Sequence, residues 1–325
     1  MIFSNRTNYG ISEELFLNAP YKSFINFASV KTDLGYTPGN ATSISYDKKL
    51  AIKKCYSEYI ERYAMGLSIN KEDIVNSYDL IEHSTVSEAK SHFSYGDTII
   101  GHSDTTGTAA GIYSVDIINK GLCELIEKND LMCFWYGNGG SEIANCDIQK
   151  LEYVRKMGLI SDEIRLFTIK EISNYPTVIA MGFKLGKLIT TGICCSKKIQ
   201  DALYGAVKEA KVIEWQQYNN SGSPIWDISE ENQRQIKCHI NRPIISLHEA
   251  EKTNSMVDGV AFASWIKSIR IKVIFSDARY NLKAIKSISD ELMISVPTIS
   301  NIKKCLEKEV VRRYYINNNL DCPIL

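Results

Sequence analysis

Apolar residues recur along this chain in two alternating periods, and the blocks come in a repeating order. From Leu50 to Tyr63 (LAIKKCYSEYIERY), Ile52, Tyr56, Tyr59, Ile60 and Tyr63 fall on one side of an ideal helix. Glu58, Glu61 and Arg62 share an arc of roughly 100° on the other. Asp47 stands at the N-cap position of this helix. A second helical stretch repeats the charged skeleton, with LCELIEKN around Glu124, Glu127 and Lys128 answering YSEYIERY. Here Ile117 and Leu131 lie beside Glu124, while Ile118, Leu122, Leu125 and Ile126 cover the other flank. A helix apolar on most sides is a buried one. A third helix is expected from Ser196, carrying Glu209 and Glu214.

Between the helices the period shortens to two. IRLFTI, YPTVIAMGF and KLITTGICC predict three strands, the last two a hairpin around Gly186, and IRIKVIF (Ile269 to Phe275) a strand with one buried face. SHFSYGDTIIGHSD reads as two edge strands around Gly96 and Asp97. IQKLEYVRKMGL has a helical period ending at Gly158. DTTGTAAG (Asp104 to Gly111) predicts a tight turn into the N-terminus of the second helix, where free N–H groups and the dipole favour an anion. Asn219 to Gln235 is polar and rich in turn formers, so a surface excursion is favoured over a lid. Strand or hairpin, glycine-containing loop, helix with glutamate recurs three times. That predicts an α/β (α+β) sandwich built from repeated strand-hairpin plus helix units.

Charge narrows the function classes. Lys plus Arg number 38 and Asp plus Glu number 38, so no overall basic field exists to attract nucleic acid. Nine cysteines without a CxxC pair read as reduced thiols in a cytoplasmic protein. No apolar run reaches the roughly 18 residues of a membrane span, and no secretory signal is expected. His83, His92 and His102 match no zinc spacing and read as exposed or internally satisfied.

Two helices of the form ExxE followed by a basic residue have two readings. One is a solvated face with an i,i+4 pair, which suits the first helix. The other is a cation site: buried carboxylates need a partner, and Mg²⁺ with substrate phosphates is a common one.

At these residues the chain resembles the YcaO-domain family, ATP-using proteins that activate peptide-backbone amides. In length and texture it is similar to the cyclodehydratase "D" subunits of thiazole/oxazole-modified microcin pathways. Three blocks carry the resemblance in order: LAIKKCYSEYIERY; DTTGTAAG with CELIEKNDLMCFWY; and TTGICCSKKIQDALYGAVKEA (Thr190 to Ala210). The resemblance implies a YcaO-like ATP-binding domain over residues 35–325 with residues 1–34 as an N-terminal extension. It implies ATP and Mg²⁺ as cofactors. Glu58, Glu61, Glu124, Glu127 and Glu209 would bind Mg²⁺ or the nucleotide, the metal through Glu58, Glu61, Glu124 and Glu127. Arg62 would contact phosphate, Lys128 replaces the usual arginine, and the C-terminal carboxylate of Leu325 would reach the active site. The implied chemistry is azoline formation: a Cys, Ser or Thr side chain of a ribosomally made precursor peptide attacks the preceding amide. Its oxyanion takes the γ-phosphoryl of ATP, and phosphate leaves. Implied partners are the precursor, a leader-binding E1-like or ThiF-like subunit, a flavin dehydrogenase and a second copy of the chain.

The chain departs from the family pattern at Ile44, Ser45 and Tyr46, where a glycine-rich phosphate element is usual, at Ile112 and Val212, and in a tail (DCPIL) that keeps only Pro323. These changes leave two alternatives in view: thioamidation or amidine formation, and a non-catalytic scaffold. A third comes from ISDELMIS, Pro297 and TISNIKKCL, which imitate a helix-turn-helix with Ser295 as cap. The same residues also read as a late strand and turn.

Overall fold

A computed structural model describes residues 8–12, 22–27, 31–32, 35–36, 40–67, 73–218, 228–252, 259–316 and 320–324. Contacts divide the chain into two compact units, Met1–Leu125 with Ile266–Val296, and Ile126–Trp265 with Pro297–Leu325.

The first unit opens with β1 (Asn8–Ser12), β2 (Lys22–Phe27), β3 (Lys31–Thr32), β4 (Gly35–Tyr36) and β5 (Asn40–Ser45). Helix α1 (Lys48–Leu67) follows, then β6 (Ile74–Asp79), β7 (Ser84–Ala89), β8 (Gly96–Thr98), β9 (Gly101–Ser103), β10 (Thr108–Gly111) and the first half of α2 (Ser114–Gly137). The second unit takes the rest of α2, then β11 (Ser141–Ile143), α3 (Asn145–Ile148), α4 (Glu152–Met157), β12 (Glu163–Ile169), β13 (Thr177–Lys184) and β14 (Lys187–Cys195). It continues through α5 (Ile199–Tyr218), α6 (Glu230–His239), β15 (Ile244–Ile245) and α7 (Leu247–Lys252). The chain returns to the first unit for β16 (Arg270–Asp277) and β17 (Leu282–Ile288), and ends in the second with α8 (Ile299–Lys303) and α9 (Glu309–Tyr314).

In the first unit, β1, β2 and β5 form one antiparallel sheet, so strands from both sides of residue 34 are hydrogen-bonded together. A second antiparallel sheet has the order β10-β17-β16-β6-β7. Helix α1 seals the core between strands: Ala51, Cys55, Tyr59, Ile60 and Ala64 are buried with Ala41, Ala110, Leu282 and Ala284. Small residues at Ala51, Cys55 and Ala64 let the helix approach closely.

The second unit is built on the order β14-β13-β12-β11-β15, antiparallel except for β11 with β15. Thr177 to Phe183 is buried at every position, which explains its continuous apolar run. Gly192 admits α5: a Cβ there would lie 2.1 Å from the Ala206 carbonyl oxygen. The expected burial of the second helix is found, with Leu131 to Tyr136 all at most 1% exposed. Arg242 closes that helix, donating from Nη2 to the Phe134 carbonyl at 2.7 Å and from Nε to Gly139 at 3.0 Å.

Four expectations need correction. DTTGTAAG is not one loop into a helix: its second half is β10, paired with β17, and α2 begins only at Ser114. The β8–β9 turn falls at Ile99 and Ile100, not at Gly96 and Asp97. Residues 219–227 of the expected surface loop lie outside the described residues, but from Glu230 it is helix, with Ser229 accepting from Asn232 N at 3.2 Å. The helix-turn-helix does not form. Lys286 to Ile288 is strand, residues 289–298 hold no helix, and α8 is five residues long with Thr298, not Ser295, as its cap.

Candidate functional site

Asp47 sets the start of α1, accepting from Lys49 N at 2.8 Å. About three turns on, Glu58 Oε1 accepts from Arg62 Nη2 at 2.6 Å and Oε2 from Thr42 N at 3.1 Å. Glu61 is only 5% exposed, so the solvated-face reading fails there. Its Oε1 accepts from Ala110 N at 2.9 Å and from Lys120 Nζ at 2.7 Å. Burial pushes the Glu58 carboxyl up to about 7, Arg62 working against the rise and Glu61 adding to it. Lys120 has a side chain 55% exposed, and Glu61, Glu124 and Glu58 hold its ammonium above the ordinary value. The first unit thus gathers Glu58, Glu61, Arg62, Lys120 and Glu124 into one charged cluster.

The Asp104–Gly107 turn stands beside it. Asp104 accepts from Thr106 N and Val296 N, both at 2.8 Å. Lys286 is wholly buried, and its ammonium donates to the carbonyls of Asp104, at 2.6 Å, and Thr106. Burial pulls Lys286 down to about 8, against the pull of Asp104 and Glu124. Gly107 has φ +80°, and a Cβ there would come 2.6 Å from the Ser287 carbonyl oxygen.

The second unit holds Glu127, Lys128 and Glu209. β14 is an edge strand, and its outward N–H groups need acceptors. Glu127 Oε2 takes Cys195 N at 3.0 Å, and Glu209 Oε2 takes Ile193 N at 2.9 Å, two residues along the same edge. Lys128 Nζ lies 3.5 Å from Glu127 Oε1. Burial and the neighbouring Glu127 raise Glu209 to about 7; burial also raises Glu127, opposed by Lys128. Two desolvated carboxylates side by side favour either a shared proton or an added cation. Glu214 is committed elsewhere, to Ile160 N and Lys211.

Leu325 lies outside the described residues. In the described tail, Trp135 Nε1 donates to Leu320 O at 2.9 Å and Tyr136 OH to Asp321 at 2.8 Å. His92 pairs with Glu88 at 3.2 Å and His102 with Asp97 at 2.5 Å. Among the described residues no three His, Cys, Asp or Glu side chains gather to hold a metal unaided. Mg²⁺, which keeps waters and phosphate oxygens, needs fewer protein ligands than that.

Asp104, Lys120 and Lys286 were not singled out by the glutamate pattern. Lys286 was legible in LKAIKSI, because period two puts it on the face of Leu282 and Ala284. Lys120 carries no such signal.

The raised carboxyls make stability depend on pH. Glu58 and Glu209 rise from 4.5, and Asp130 from 3.8, each to about 7, all chiefly through burial. Between the unfolded and folded values the folded chain holds protons that the unfolded chain has released. Their contribution is therefore full below the unfolded values and is lost as pH rises through 7. Thermal unfolding without added divalent cation is expected to give a lower midpoint at about pH 8 than at about pH 6. A flat or opposite profile contradicts the desolvated clusters.

The chain is an α/β protein with glutamate-bearing helices set against sheet edges, and its fold is shared by solved structures. The YcaO protein from Methanopyrus kandleri, bound with AMPPCP and Mg²⁺, matches with TM-score 0.70 at 13% identity, over 90% of this chain and 88% of that one. A chain of the E. coli microcin synthetase McbBCD complex with pro-MccB17 bound matches with TM-score 0.61 at 14% identity, over 91% of each. A heterocyclase in complex with substrate and cofactor matches with TM-score 0.59 at 11% identity, over 88% of this chain and 50% of its own. No family model matches the sequence, and no curated protein matches it. The chain has the YcaO fold.

Proposed function

We propose that this chain is a YcaO-type enzyme that uses ATP and Mg²⁺ to activate backbone amides of a ribosomally made precursor peptide, forming azolines. The observation that carries the reading is the first-unit cluster, where Arg62 Nη1 is buried with no hydrogen-bond partner among the described residues, beside the buried Glu61 and the half-buried Glu58. A buried guanidinium N–H in that state suits an anionic oxygen, and raised carboxyls suit a cation. These residues fit magnesium-bound ATP.

Arg62 and Lys120 would receive phosphate oxygens, with Glu58, Glu61 and Glu124 toward the metal or nucleotide. In the second unit, Glu127 and Glu209 are the pair suited to Mg²⁺. Bound ATP supplies the phosphoryl group that turns an amide oxygen into a leaving group. The chain's own work is positioning and charge neutralisation: Glu58 and Glu209 would hold the cation as carboxylates, and Arg62 and Lys120 would donate to phosphate oxygens. A peptide substrate and partner subunits are proposed, supported by likeness to a chain of the McbBCD complex with pro-MccB17 bound; a leader-binding subunit and a flavin dehydrogenase are the partners the family resemblance implies. Homodimer formation, a cytoplasmic location and a C-terminal carboxylate reaching the site belong to the same reading.

A second reading, a non-catalytic scaffold, draws on Lys128, which is 7% exposed and lies against its own neighbour Glu127 instead of offering an arginine fork. The test is mass spectrometry of a Cys-, Ser- and Thr-rich peptide encoded beside this chain, co-expressed with it and its neighbouring subunit. The expected result is loss of one water per modified residue, abolished by Glu58→Gln. An unchanged peptide mass favours the scaffold.

A further inference from the structure

Tyr95 belongs to none of the three blocks that carry the resemblance, yet its side chain enters the same cluster. It follows Phe93, which is 1% exposed and anchors the segment, and precedes Gly96, which opens β8 with φ +107°. The residue is thus held from both sides. Its hydroxyl is buried and has no hydrogen-bond partner among the described residues, and the same is true of Arg62 Nη1. The charges acting on the phenol are those of Arg62, Asp104, Glu61 and Glu124, all in the first unit.

Three of the nearby acceptor oxygens are engaged. Both Asp104 carboxylate oxygens take backbone N–H groups, and Glu61 Oε1 takes Ala110 N and Lys120. Burial and the three carboxylates keep the phenol protonated, so it is a donor. Two buried donors without acceptors, in one cluster, call for a ligand that brings oxygen acceptors. A bare anion would meet Glu58, Glu61, Asp104 and Glu124, so the acceptor has to arrive with its cation.

We propose that Tyr95 is a further ligand-positioning residue, its hydroxyl donating to a phosphoryl oxygen of magnesium-bound ATP beside Arg62 Nη1. This rests on the nucleotide reading above. Tyr95 holds the phosphate group and takes no part in bond making.

The experiment compares calorimetric binding of Mg·ATP to the wild-type chain and to Tyr95→Phe, with the unfolding temperature of each measured without ligand. The expected result is about tenfold weaker binding by Tyr95→Phe at an unchanged unfolding temperature, the loss of one charge-assisted hydrogen bond. Equal affinity of the two proteins overturns the role of Tyr95 and leaves the nucleotide reading standing. No binding by the wild type overturns both. Should Tyr95→Phe unfold early, 3-fluorotyrosine at position 95 decides: its fluorine resonance moves on adding Mg·ATP if the hydroxyl meets the ligand. An unmoved resonance under saturating Mg·ATP overturns the proposal.

Discussion

Lys211→Met is expected to destabilise the chain by about 3–5 kcal/mol at neutral pH, the cost of breaking a buried ion pair from one side. Lys211 and Glu214 have fully buried side chains 3.5 Å apart on one turn of α5. Lys211 also donates to the Gly158 carbonyl at 2.7 Å, at the point where α4 stops. Glu214 meanwhile accepts from Ile160 N at 3.1 Å and Ser161 N at 3.4 Å. The pair therefore ties α5 to the turn ahead of β12. Removing the ammonium leaves a carboxylate whose affinity for a proton is already raised by burial. With the folded value above the unfolded one, the variant recovers stability as pH falls, because Glu214 takes up a proton. Lys211→Met with Glu214→Gln should recover part of the loss at neutral pH. Denaturant unfolding across pH measures this, and a cost below about 1 kcal/mol would show that the pair does not hold the turn.

The second large effect is loss of nucleotide binding in Glu58→Gln with Glu124→Gln. Glu58 is the more informative position, since burial already favours its protonated form and glutamine imitates that form without disturbing the helix. Glutamine keeps an oxygen acceptor for one of the two donors, Arg62 Nη2 on Oε1 or Thr42 N on Oε2, and leaves the helix position isosteric. The double variant should therefore fold and fail to bind.

What the sequence revealed, and what it hid, follows from how locally each feature is written. The strands over 163–169, 177–184 and 187–195 have long, dense apolar runs, and they stand where those runs predict them. The burial of Leu131 to Tyr136 was equally plain, because no polar residue interrupts it. The β6–β7 hairpin was missed because IVNSYD and STVSEA are mostly polar, with Ile74 itself 70% exposed. Its strands are fixed by pairing to β16 and by Glu88 lying against Arg270, contacts made far along the chain. DTTGTAAG misled for a related reason. Small residues suit a loop, but Thr108 to Gly111 is a strand because β17, more than 170 residues on, supplies its partner.

The candidate site shows the same division. Glu58, Glu61, Arg62, Glu124, Glu127, Lys128 and Glu209 stood out through a repeated motif, and the structure sets the first four in one cluster and the last three in another. Nothing in the motif foretold that Ala110 N would hold Glu61, or that Ile193 N and Cys195 N would hold Glu209 and Glu127. Those are consequences of sheet edges meeting helices, and a single sequence does not write them down.

The most direct measurement is calorimetric titration of Mg·ATP into the purified chain and into Glu58→Gln with Glu124→Gln. Micromolar binding by the wild type, lost in a folded double variant, is the predicted result. No binding by the wild type, even with the proposed leader-binding subunit added, would contradict the nucleotide reading and leave the YcaO fold as a scaffold.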